Sequence, residues 1–155
     1  MLILLDIDGV MIPAAGWKPV PNMHDGFPQF SAKAVSNLNH ILSETMASIV
    51  LTTSHKSRFS ELEWQNIFRN RGINASIQKL DDNTNELDRK AEIINWLDHK
   101  WNHENFIIID DDKNLNGLPK EIKERLILTK SLVGLNEEDA NAAILNFKTH
   151  QLVIA

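Results

Sequence analysis

Leu2-Ile3-Leu4-Leu5-Asp6-Ile7-Asp8-Gly9 begins with four apolar residues and ends on two carboxylates and a glycine. A short apolar run bounded by a turn signal reads as a buried strand. Asp and Gly are depleted in strands, so the strand should stop at Asp6. Asp6 and Asp8 are two residues apart and leave the strand end facing the same way. Carboxylates this close repel each other unless a cation or a proton sits between them. A second run, Phe106-Ile107-Ile108-Ile109, ends in Asp110-Asp111-Asp112. If these two strands lie side by side and parallel, up to five carboxylates gather at one edge of a sheet. Such an edge suits a hard cation such as Mg2+, and one of its carboxylates can serve as a nucleophile.

Working outward, three more apolar segments read as strands: Ser48–Leu51, residues 73–77 and Leu126–Leu128. Helical patterns fall between the strands. Residues 32–44 place Val35, Leu38, Ile41 and Leu42 on one face. Residues 60–71 open with Ser60-Glu61-Leu62-Glu63, which has the form of a capping box, and stop before Gly72. Residues 88–101 align Ala91, Ile94, Leu97 and Trp101, and residues 137–147 follow Asn136 as N-cap. Strands alternating with helices predict an α/β fold with a mainly parallel sheet. Residues 13–28 break the alternation. They hold four of the five prolines and two of the six glycines, which predicts a functional loop resembling a flap.

A chain of 155 residues suggests one domain, spanning 1–155. It has no cysteine, which excludes disulfides, thiolate zinc sites and cysteine nucleophiles. That composition fits a reducing cytosol, so a cytoplasmic protein is the expectation. No apolar stretch approaches the roughly 18 residues of a membrane span, and no membrane partner is expected. The net charge of −5 argues against a protein that coats duplex DNA. It leaves open an enzyme acting on a single nucleic-acid end.

In open parallel sheets, ligands bind beyond the carboxyl ends of the strands. Here those ends offer Asp6 and Asp8, then Thr52-Thr53-Ser54, then Asp110-Asp111-Asp112, and Thr129-Lys130. Arg89 and Lys90 start the third helix and can point back to the same edge. The set suits phosphoryl transfer, which needs phosphate charge neutralised, its oxygens held and an attacking atom placed in line. Of the aromatic residues, Trp64, Trp96 and Trp101 lie on helical patterns and read as core. Trp17 and Phe27, on the flap, are the expected substrate contacts. The six histidines have no metal-ligand spacing and read as mostly surface residues.

Three segments resemble motifs of the haloacid dehalogenase (HAD) superfamily of phosphohydrolases. They are Leu4-Leu5-Asp6-Ile7-Asp8-Gly9-Val10, Ile49-Val50-Leu51-Thr52-Thr53-Ser54 and Ile107-Ile108-Ile109-Asp110-Asp111. With the stretches from Arg89 to Leu97 and from Gly134 to Ala140, the chain is similar to the HAD domain of Swiss Army Knife RNA-repair proteins and their stand-alone relatives. The resemblance implies a Rossmann-like domain of sheet order 3-2-1-4-5 with a minimal cap or none, and a Mg2+-dependent phosphomonoester hydrolase. Asp6 would be the nucleophile and a metal ligand. Asp8 would be the general acid/base, with its backbone carbonyl on the metal. Thr52, or Thr53 if the strand runs one residue longer, would bind phosphate. Asp111 and Asp110 would complete the metal shell, and Lys90 or Arg89 would contact the phosphate. His55-Lys56 departs from the aromatic-Arg pair of close relatives. The substrate would be phosphorylated, with an RNA or DNA end as one candidate. Two alternatives follow: a polynucleotide-end phosphatase in nucleic-acid repair, and a catalytically idle module that binds phosphate.

Overall fold

The computed structural model describes residues 1–14 and 19–154. Five strands form one parallel sheet: β1 (Leu2–Leu5), β2 (Ser48–Leu51), β3 (Ile77–Lys79), β4 (Phe106–Asp110) and β5 (Leu126–Leu128). Their order across the sheet is β3-β2-β1-β4-β5, as the resemblance implies. The central strand is buried on both faces, which is why it reads as an unbroken apolar run.

Alternation along β1 sorts its side chains between two cores. Ile3 and Leu5 join Leu38 and Ile41 of α1 (Ala32–Thr45), Trp64 and Phe68 of α2 (Glu61–Arg69), and Phe147 of α5 (Glu137–Ile154). Leu2 and Leu4 face the other side, with Ile93 of α3 (Arg89–His99), Leu115 and Leu118. A short helix, α4 (Lys120–Lys123), precedes β5; its four residues carry no periodic signal in the sequence. The caps are those the sequence announces. Ser60 and Glu63 bond reciprocally at the start of α2, and the Asn136 side chain accepts from the Asp139 N–H.

Two expectations need correction. The third strand is Ile77–Lys79, not residues 73–77. Ile73 is buried, but its N–H bonds to the Phe68 carbonyl in the turn that ends α2, so its apolarity marks packing and not pairing. Gln78 and Lys79 pair with Val50 and Leu51 instead, because an edge strand tolerates polar residues. The second correction concerns the flap. Arg71 clamps its second half: the guanidinium bonds Asp25 at 2.6 Å and donates to the carbonyls of Phe27 and Pro28. Phe27 is 0% exposed and packs edge-on against Phe30, Phe59 and Trp64, so it is a core residue and not a substrate contact. Trp17 lies outside the described residues. Trp64 is buried as expected, while Trp96 and Trp101 are half-buried against the second core.

Candidate active site

The sheet register lines up the first groups of the site. Leu5 pairs with Leu51 and with Ile109. One residue further on, Asp6, Thr52 and Asp110 therefore stand in one row at the carboxyl edge. The Thr52 N–H donates to the Leu5 carbonyl and the Asp6 N–H to the Ile109 carbonyl, which holds the row in place. All three side chains are buried.

Carboxylate oxygens of Asp6, Asp110 and Asp111 lie within 4.8 Å of one another. Three of the five expected carboxylates thus gather. Asp8 faces the mouth instead, with 61% of its side chain exposed, and Asp112 caps the turn after β4 by accepting from the Asn114 N–H. Gly9 makes room for the cluster. It has φ +79°, and a Cβ there would fall 2.0 Å from Asp111 Oδ2. Ser131 donates to the same Asp111 oxygen at 2.7 Å. Thr129, at the end of β5, donates to the Gly9 carbonyl at 2.8 Å.

Burial is the main force on Asp6, followed by the Asp110 charge, and Arg89 offsets part of it. The net effect pushes its pKa up to about 8. Asp110 is raised too, by burial first. Carboxyls held this far from their ordinary range in the metal-free protein are a set that a hard cation would stabilise, since a divalent charge reverses the repulsion. An all-oxygen donor set fits Mg2+.

Among the described residues, Arg89 is the cation that reaches this cluster. Its Nη1 lies 2.5 Å from Asp110 Oδ2 and 3.3 Å from Asp6 Oδ1. Asp88 caps α3 and sets the direction of its first turn. Lys90 points elsewhere, toward Gly117. The two threonines also separate. Thr53 Oγ1 accepts from the His55 N–H, whereas Thr52 Oγ1 is buried without a partner in the protein. A buried hydroxyl in that state marks a place for a ligand acceptor.

Two contacts were not foreseen. His55, read as a surface residue, sets its Nε2 2.7 Å from Asp8 Oδ2. Lys56 is buried and pairs with Glu92 of α3 at 2.7 Å. The Lys56 carbonyl receives the Trp64 indole N–H and the Lys79 ammonium. These bonds brace the loop that carries Thr52, Thr53 and His55. Ser131 carried no signal beyond its place after Thr129-Lys130.

A parallel sheet of this order, with an aspartate on β1, a threonine on β2 and paired aspartates on β4 at one edge, defines a HAD-type α/β domain. A family model described as the HAD domain in Swiss Army Knife RNA repair proteins matches residues 2–140, and the chain belongs to that family. No curated protein and no solved structure matches it. Among the described residues, no helix is long and apolar enough to cross a membrane.

Proposed function

We propose that this protein is a Mg2+-dependent phosphomonoester hydrolase that works through an aspartyl-phosphate on Asp6. The observation that carries the reading is the row of Asp6, Thr52 and Asp110, with the Thr52 hydroxyl buried and unpartnered beside the carboxylate. A phosphate oxygen is the acceptor that hydroxyl lacks. Asp6, Asp110 and Asp111, with the Asp8 carbonyl, are the ligands in this reading, and the bound cation supplies positive charge that offsets repulsion between phosphate and carboxylates.

The chain's residues divide the chemistry. Asp6 attacks phosphorus, and the bond to the leaving oxygen breaks as the bond to Asp6 forms. Asp8 gives its proton to the leaving oxygen. It then takes a proton from water as the water attacks phosphorus and frees Asp6. Thr52 and Arg89 hold the phosphate oxygens and balance their charge. Thr53 and Lys90 have no part in this reading.

A polynucleotide end is the substrate class favoured here. The family description, RNA repair, supports it. So does the openness of the edge. Besides one short 3-10 turn at Lys56–Arg58, only α2, β3 and α3 lie between β2 and β4, and these three belong to the sheet and its layers. The described part of residues 13–28 is clamped by Arg71 and forms no lid domain. A site without a lid admits a large substrate. The test is a turnover screen with Mg2+ against nucleotides, sugar phosphates, phosphopeptides and 3′- or 5′-phosphorylated oligonucleotides. The expected result is hydrolysis, with a higher kcat/KM for an oligonucleotide end than for free sugar phosphates or mononucleotides. Phosphate binding without turnover of any substrate would favour the idle module.

A further inference from the structure

His55 makes a contact that the hydrolase reading leaves without a purpose. Its Nε2 lies 2.7 Å from Asp8 Oδ2 across 47 residues of sequence. The imidazole is held from several sides. Its ring meets the buried Phe27 ring edge-on, with centroids 5.6 Å apart. Its backbone N–H donates to Thr53 Oγ1 at 3.2 Å. Arg58 Nη1 stands 3.5 Å from Nδ1, at the edge of hydrogen-bond range. An arginine only donates, so this neighbour favours Nδ1 as the acceptor and leaves the ring proton on Nε2, facing Asp8.

We infer that His55 is a positioning residue for Asp8, holding its carboxylate at the mouth of the site and out of the Asp6, Asp110 and Asp111 cluster. The inference rests on the hydrolase reading. In-line displacement by a buried Asp6 sends the leaving oxygen away from the floor, toward solvent. A proton donor must therefore stand at the rim, where Asp8 is. An exposed carboxylate with no partner samples several rotamers, and the cation site two residues away competes for it. The hydrogen bond from His55 removes that freedom. Its own position is secured by the Phe27 contact and by the Lys56–Glu92 pair on the next residue.

The experiment compares wild type, His55→Ala, His55→Gln, Asp8→Asn and the Asp8→Asn/His55→Ala double variant with Mg2+ on two substrates. Nitrophenolate leaves p-nitrophenyl phosphate without a proton, whereas the alkoxide of glycerol phosphate needs one. For His55→Ala, kcat should fall at least about tenfold more on glycerol phosphate than on p-nitrophenyl phosphate, with KM little changed. Gln, whose amide N–H reaches the place of Nε2, should recover most of the loss. The double variant should lose no more than Asp8→Asn alone. Apart from turnover, 15N spectra of the imidazole should give the Nε2-protonated tautomer for His55, with a resonance that shifts in Asp8→Asn. Equal losses on both substrates from an active wild type, or a His55 resonance indifferent to Asp8→Asn, would overturn the assignment. A wild type inactive on both substrates would overturn the hydrolase reading itself, and the role of His55 with it.

Discussion

Replacing Asp6 with Asn should make the metal-free protein more stable, by an amount that grows with pH. Burial and the Asp110 charge hold the Asp6 pKa at about 8, against an ordinary value of 3.8. A carboxyl raised in this way favours folding while protonated. That stability is fully present below the unfolded value of 3.8 and is lost as pH rises toward 8. Across that window the folded state keeps a proton that the unfolded chain releases, which costs about 1.4 kcal/mol per pH unit. From pH 5 to pH 8 the loss approaches about 3 to 4 kcal/mol, a large share of an ordinary domain's stability. Asparagine has nearly the shape of the protonated acid and does not titrate. The difference between Asp6→Asn and wild type should thus widen by roughly 3 kcal/mol over this range. Urea titrations in EDTA, followed by tryptophan fluorescence, measure it; Asp110, which shares the cluster, is relieved in the same direction when the Asp6 charge is removed. A difference that stays flat from pH 5 to pH 8, or narrows, would refute the account of the cluster's electrostatics.

Three further outcomes follow from the same geometry. Thr52→Val should lower turnover by about tenfold to a hundredfold through loss of a phosphate donor. Its thermal stability should hold or rise, since the buried hydroxyl has no partner to lose; a loss of stability equal to that of a paired hydroxyl would contradict the orphan assignment. Mg2+ at a hundred times its dissociation constant should add about 2.7 kcal/mol to stability. Asp111→Ala should remove most of that gain and Asp112→Ala little of it; the reverse order in a thermal-shift assay would put the cation elsewhere. Arg71→Ala should cost about 3 kcal/mol in a denaturant titration, because it strips a buried partner from Asp25, whose carboxyl Arg71 holds well below the usual range. A cost under about 1 kcal/mol would mean the loop is held mainly by Phe27 packing.

The strands were legible because each central one is buried on both faces and ends abruptly in polar residues. Four of the five were placed by those runs alone. The third was not, since Ile73 is apolar for packing while Gln78 and Lys79 pair at a polar edge. The row of Asp6, Thr52 and Asp110 was legible for the same reason, as every member sits one residue beyond a strand's apolar run. What remained hidden depends on tertiary docking. Whether Arg89 or Lys90 turns toward the edge is set by how α3 rotates against the sheet, which its weak apolar stripe leaves undetermined. His55 meets Asp8 across 47 residues, with no local spacing to announce the contact. Phe27 sits in a stretch rich in proline and glycine that suggests exposure. An aromatic cluster and Arg71 draw it inside.

The central claim is that phosphorus is attacked by Asp6, and trapping the intermediate tests it most directly. The protein is mixed with Mg2+ and an excess of the substrate best hydrolysed in the screen, quenched during turnover, and reduced with borohydride. Borohydride converts an aspartyl-phosphate to homoserine, which peptide mass mapping locates. The account predicts homoserine at position 6, dependent on substrate and absent from Asp6→Asn. Turnover with residue 6 unmodified, or homoserine at position 8 instead, would contradict it.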